Sequence, residues 1–185
     1  MSVHLIDDGG AGFSTTGVWA AFSDPSFGQG DTLQAAAGSG ATARYNFGAL
    51  GAGTAVVELQ WNANANRATN VGWQAKSGAV VLANGAINQQ EWPASGGAGT
   101  FRQVASVNML VGEVLAVTLT AGTNGYTVAD QCRVTFTPSA APPIPPSELL
   151  EELLLDATNR KAAAIAVADE QYEIDVQRAS ELAGA

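Results

Sequence analysis

The sequence predicts a mainly β protein: an antiparallel β-sandwich or jelly-roll-like domain, followed by a Pro-rich linker and a C-terminal α-helical tail. Three observations carry that expectation. Apolar and polar residues alternate with a period of two through several short runs, as in strands with one buried face. Glycine and Asn-Gly pairs punctuate the runs, as turns require. Five of the seven prolines fall between residues 138 and 146, in PSAAPPIPP, and the composition changes beyond them.

The strands declare themselves in order. In residues 55–62, Ala55, Val57, Leu59 and Trp61 occupy one face while Glu58, Gln60 and Asn62 occupy the other. Val71, Trp73 and Ala75 alternate with Gly72, Gln74 and Lys76, and Leu115, Val117 and Leu119 with Ala116, Thr118 and Thr120. Turns are expected at Gly38 and Gly40, Gly51 and Gly53, Asn84-Gly85, Gly96-Gly97 and Asn124-Gly125. No run of helical period interrupts residues 1–137, so they read as one sandwich domain.

Residues 138–146 cannot feed a hydrogen-bond ladder and favour extended polyproline geometry, so they read as a semi-rigid linker. Residues 147–185 read as a helical tail. Ser147 is placed to cap its start, and Glu148, Glu151 and Glu152 suit the positive end of the helix dipole. Ile165, Ala168, Tyr172, Val176, Ala179 and Leu182 recur at steps of three and four, forming an apolar stripe. Thr158-Asn159 is a weak point where one helix can become two. The stripe has no partner in its own segment, so it predicts anchoring on copies of this chain or on another protein, with folding back on the β domain as the alternative.

Charge and chemistry exclude several function classes. The chain carries 8 basic and 17 acidic residues, a net charge of −9, which disfavours a phosphate backbone as partner. Cys132 and His4 are the only residues of their kinds, so disulfides, multi-cysteine metal sites and most zinc chemistry drop out. Catalysis is not expected, since no base, nucleophile and metal constellation assembles in the sequence. The start, MSVHLIDDGGAG, lacks a basic n-region, and no stretch is long and apolar enough to span a bilayer, so cytosolic synthesis is expected.

Four segments in order resemble the golvesin C-terminal-like domain, also met as a carbohydrate-binding-like module in xanthan lyases. They are IDDGGAGFSTTGVW (6–19), ELQWNANANRATNVGW (58–73), INQQEW with GTFRQV (87–92 and 99–104), and GYTVADQCRV (125–134). The inserted PASGGAG (93–99) and Cys132 depart from that family's pattern. The resemblance implies a β-sandwich and association with glycans or surfaces.

Candidate site residues follow from register and type. Asp130 shares the inward register of Val128, Cys132, Val134 and Phe136, so it needs a partner. Arg67 is the expected partner in a structural ion pair, with Asp7 and Asp8 competing for the same arginine. Flat indoles stack on sugar rings; Trp61 and Trp73 fall on core faces, while Trp92, before Pro93, is the expected exposed one. Trp92, Asn66, Arg67 and Asn70 are therefore the candidate ligand-binding residues. Asp7, Asp8 and Asp130 offer hard oxygens for calcium, but no calcium-loop pattern accompanies them, and neither metal nor cofactor is expected. His4 reads as an ordinary strand residue and Cys132 as a small buried hydrophobe.

The function expected from these features is a non-enzymatic structural or adhesive component of a large particle, a phage or phage-like virion. The glycan-binding-like β module would be displayed on it, and the helix would anchor to capsid or tail proteins or to other copies. Cell-surface glycan is the further expected partner, with no nucleic acid and no membrane span. The alternatives are a cellular carbohydrate-binding or surface module exported without an N-terminal signal, and a chaperone or adaptor using the leucine-rich helix.

Overall fold

The computed structural model describes residues 1–23, 30–93 and 99–139, together with 154–155 and 158–159. The chain divides into two compact units, Met1–Ala140 and Ala141–Ala185. In the second, Leu154, Leu155, Thr158 and Asn159 are helical, and Thr158 Oγ1 donates to the Leu154 carbonyl at 2.8 Å. The stripe from Ile165 to Leu182, the expected cap Ser147 and most of the linker lie outside the described residues.

Among the described residues the first unit holds twelve strands. They are β1 (Ser2–Ile6), β2 (Phe13–Thr16), β3 (Ala20–Ser23), β4 (Asp31–Ala35), β5 (Thr42–Ala49), β6 (Gly53–Leu59), β7 (Val71–Ser77), β8 (Val80–Ile87), β9 (Arg102–Met109), β10 (Val114–Thr120), β11 (Thr127–Ala129) and β12 (Cys132–Pro138). They form a four-stranded sheet in the order β1-β12-β6-β9, a five-stranded sheet β2-β5-β10-β7-β8, and a small sheet β11-β4-β3. Every strand pair is antiparallel.

Period-two alternation explains the sandwich. Ala55, Val57 and Leu59 on β6 and Val134 and Phe136 on β12 meet Ala43 and Tyr45 on β5, Trp73 and Ala75 on β7, and Val117 and Leu119 on β10 in one buried cluster. A one-residue slip in any of these strands would turn its apolar set to solvent, so burial itself fixes register. The alternations in residues 55–62, 71–76 and 113–120 all point inward as their patterns require.

One expected turn is a strand interior instead. Asn84-Gly85 lies within β8, and that hairpin turns at Gly78, where φ is +57°. Gly85 sits directly opposite Trp73, and a Cβ there would come within 2.9 Å of the indole Cζ2. The glycine thus makes room for the cross-strand tryptophan. Gly85→Ala is expected to destabilise the β unit by about 1–3 kcal/mol through overpacking, read by urea unfolding; an unchanged midpoint would show that the indole moves aside without penalty.

Candidate functional site

At one end of the sandwich three connections cross-link each other: residues 60–70, 88–92 and 121–126. Asn70 Nδ2 donates to Thr123 Oγ1 at 2.7 Å, and Thr123 N donates to Asn70 Oδ1 at 3.0 Å. Asn124 Oδ1 accepts from Thr69 N, while its Nδ2 donates to Thr69 Oγ1. Gln90 Nε2 donates to the carbonyls of Ala65 and Arg67, each at 3.0 Å. Gly125 lies against the Arg67 carbonyl where no side chain would fit. Asparagine suits these loops because its amide satisfies backbone and side-chain groups at once.

The interior of this end is equally polar. Gln89 is fully buried, and its amide donates to Val128 O and accepts from Val128 N, both at 2.8 Å, replacing a ladder rung on β11. Arg67 is also buried; its guanidinium donates to Gln34 Oε1 and Asn66 Oδ1 at 3.0 Å and to Asn62 O at 3.3 Å. The four candidate ligand residues therefore separate by role. Arg67 holds the loops from inside and Asn70 cross-links them at the surface, while Asn66, which accepts from Arg67, and Trp92, 42% exposed, reach solvent. Tyr126, 47% exposed and bridged to Arg67 through the backbone, joins them as a second outward aromatic that the sequence pattern did not single out.

The other tryptophans are committed. Trp61 is fully buried with Nε1 donating to Glu91 O at 2.8 Å, Trp73 is buried opposite Gly85, and Trp19 packs against the core with Nε1 donating to Thr16 O. Cys132 is buried and its thiol is pushed well up by burial, which keeps it protonated. His4 lies on β1, its Nε2 2.9 Å from Ser2 Oγ.

Behind the loops sits an acidic cluster. Asp7, Asp8 and Asp130 are all buried, and one carboxylate oxygen from each lies within 4.8 Å of the others. The four carboxylate oxygens of Asp7 and Asp8 lack a hydrogen-bond partner of good geometry. Burial pushes both carboxyls up. For Asp7 the nearby Gln131 side chain partly offsets this, and the Asp31 charge adds to it. Asp8 rises to about 7, through burial first and then the charges of Asp7 and Asp31. Oxygens bound to one calcium ion at about 2.3–2.6 Å lie up to about 5 Å apart, so the separations within this set are compatible with sharing such an ion. The structure thus assembles the oxygen set for which the sequence showed no calcium-loop pattern.

No family model matches the chain, and no curated protein matches it. Solved structures do. One is the xanthan lyase of Paenibacillus, with TM-score 0.62 and 24% identity over 74% of this chain, which spans only 13% of that enzyme. A family 35 carbohydrate-binding module from an environmental isolate matches with TM-score 0.51 and 18% identity, covering 75% of this chain and 99% of that one. The C-terminal CBM6 of LamC from Zobellia galactanivorans gives TM-score 0.50 and 13% identity, over 72% and 99%. The β unit has the fold of a carbohydrate-binding module. The expectation of a β-sandwich like those of xanthan lyase and carbohydrate-binding modules is thus met at the level of fold.

Two measurements probe this end. Arg67→Ala is expected to cost about 3 kcal/mol or more, because it strands buried acceptors and removes a buried cation; an unchanged melting temperature would show a solvated guanidinium. The second is pH linkage. A carboxyl raised in the fold binds its proton more tightly there than in the unfolded chain, so the metal-free protein gains stability as pH falls from about 8 to about 5 and loses it as pH rises through about 7. Calcium at about pH 8 should raise the melting temperature, and Asp8→Asn should weaken both responses, with Asp7 retaining part of the pH dependence. A melting temperature indifferent to calcium would show that the three aspartates hold no such ion.

Proposed function

We propose that this protein is a non-catalytic glycan-binding module, and that saccharide docks on the loop end presenting Trp92, Tyr126 and Asn66. The observation that carries this reading is the exposure of two aromatic side chains on loops locked by side-chain hydrogen bonds. Flat aromatic faces cover the apolar C–H face of a pyranose, and amide groups beside them satisfy its hydroxyls. The locked loops lower the ordering cost of binding. The fold shared with carbohydrate-binding modules supports the reading.

The finer reading places this module on a phage or phage-like particle, anchored through the apolar stripe of the tail. Ile165, Val176 and Leu182 would bury against a capsid or tail protein or a second copy, and each large aliphatic left in water would forgo about 1.5–3 kcal/mol. In that reading Arg67 also serves as the structural counter-ion of Asp130.

Affinity electrophoresis through gels containing neutral and acidic polysaccharides tests the first reading. Retardation by at least one polymer, abolished by Trp92→Ala without change in melting temperature, is the expected outcome. Migration unaffected by every polymer would contradict it. For the anchor, Ile165→Asp with Val176→Asp should lower the native mass or block incorporation into the particle; unchanged assembly with a destabilised β unit would mean the tail packs within its own chain.

A further inference from the structure

The outer face of the five-stranded sheet has a charge pattern unlike the rest of the chain. Strands β2, β5, β10, β7 and β8 contain no aspartate or glutamate, although acidic residues outnumber basic ones by 17 to 8 overall. Their outward positions form rows of hydroxyls and amides. Ser14, Arg44, Thr118, Gln74 and Asn84 stand side by side across the sheet, and Asn46, Ala116 and Lys76 form the next row. Between Arg44 and Lys76 is a depression of about 190 Å³, lined also by Gly78, Ala116 and Thr118.

The two cations at this depression differ from the other three in the β unit. Arg133 makes two charge-assisted hydrogen bonds to Glu58, at 2.7 and 2.8 Å, and its guanidinium also covers Phe101. Arg102 lies 3.7 Å from Glu91 and covers the Trp61 ring. Arg67 is buried among amide and carbonyl acceptors. Among the described residues, none forms an ion pair or a side-chain hydrogen bond with Arg44 or Lys76. Arg44 is exposed, and Ala116, although on the outer face, is only 4% exposed because longer side chains stand around it. The small floor and tall cationic walls make a shaped recess rather than a flat patch.

We propose that this recess is a second saccharide site, specific for a pyranose bearing a carboxylate, such as a uronate. Arg44 and Lys76 flank β10 on adjacent rows, about two strand spacings and two residues apart, or roughly 12 Å between backbones, and both line the depression, a gap suited to one sugar ring held between two long side chains. Arg44 presents a planar fork that matches a carboxylate bidentately, and Lys76 adds a point charge. Thr118, Gln74 and Asn46 supply donors and acceptors for ring hydroxyls. The chain's net charge of −9 disfavours long-range attraction of polyanions, so the recess selects an acidic sugar by contact. This inference rests on the glycan-binding reading but uses a face distinct from the loop end.

The test uses the full chain in affinity gels containing hyaluronan, polygalacturonate, the carboxyl-reduced form of each, or dextran sulfate. The wild type should be retarded by at least one uronate polymer and about tenfold less by its carboxyl-reduced form. Arg44→Gln with Lys76→Gln should abolish that difference while leaving the melting temperature unchanged, and Trp92→Ala should preserve it. Equal retardation by native and reduced polymers, or a difference surviving in the double variant, would overturn the proposal while leaving loop-end glycan binding intact. Retardation by dextran sulfate as strong as by the uronates would overturn it in favour of general anion attraction. Absence of retardation by any polymer, neutral or acidic, would remove both this proposal and the glycan-binding reading.

Discussion

The burial of polar groups at one end of the sandwich is the constraint on which the order of the loops there depends. Asp7 and Asp8 follow β1, and Asp130 sits between β11 and β12, so all three carboxylates converge on the seam where those segments meet. Burial raises the Asp7 and Asp8 carboxyls, so proton uptake relieves part of the cost of gathering the cluster. The same seam is pinned from other sides. Tyr45 donates its hydroxyl to the Asp130 carbonyl at 3.1 Å, and Gln60 N donates to the Gln131 carbonyl at 2.9 Å. Gln89 clamps Val128 through both its polar atoms. Each of these groups is dry, so each bond is dear to break, and the positions of the outer loops follow from them.

That arrangement explains how an end made largely of asparagine, glycine and alanine is ordered. Small polar residues alone make mobile loops, since they bury little apolar surface. Here the 60–70, 88–92 and 121–126 connections share side-chain hydrogen bonds in both directions, and Arg67 ties the innermost turn to Gln34 on β4. The aromatic side chains can then remain outside, because the loops do not need them as core. Trp61, by contrast, is spent on packing, with its indole N–H satisfied by the Glu91 carbonyl.

Much of the sandwich was legible because a strand with one dry face writes its register into the sequence at every second residue. Ala55, Val57, Leu59 and Trp61 are buried, and the inward placement of Asp130 followed from the same count. Asn84-Gly85 misled because its glycine answers to Trp73 on the neighbouring strand, a cross-strand need invisible in local sequence. The site was legible in part. The exposure of Trp92 followed from its Pro- and Gly-rich setting, and a structural role was expected for Arg67, but Gln34 and Asn62 were not foreseen as its partners because they approach it only in the fold. Tyr126 gave no signal, being one aromatic beside a turn. The Arg44 and Lys76 recess depends on residues some thirty positions apart that pair across β10, and only topology brings them together.

The central claim, that saccharide binds the aromatic loop end, is tested most directly by the indole region of a 1H–15N spectrum. Each of the four tryptophans contributes one Nε1–H signal, and three of these indoles are fixed in the core or against it. Titration with a retarding oligosaccharide should move the Trp92 signal together with the backbone amides of Asn66 and Tyr126, and leave those of Trp19, Trp61 and Trp73 in place. A titration in which the oligosaccharide binds but the Trp92 signal does not move would contradict the account.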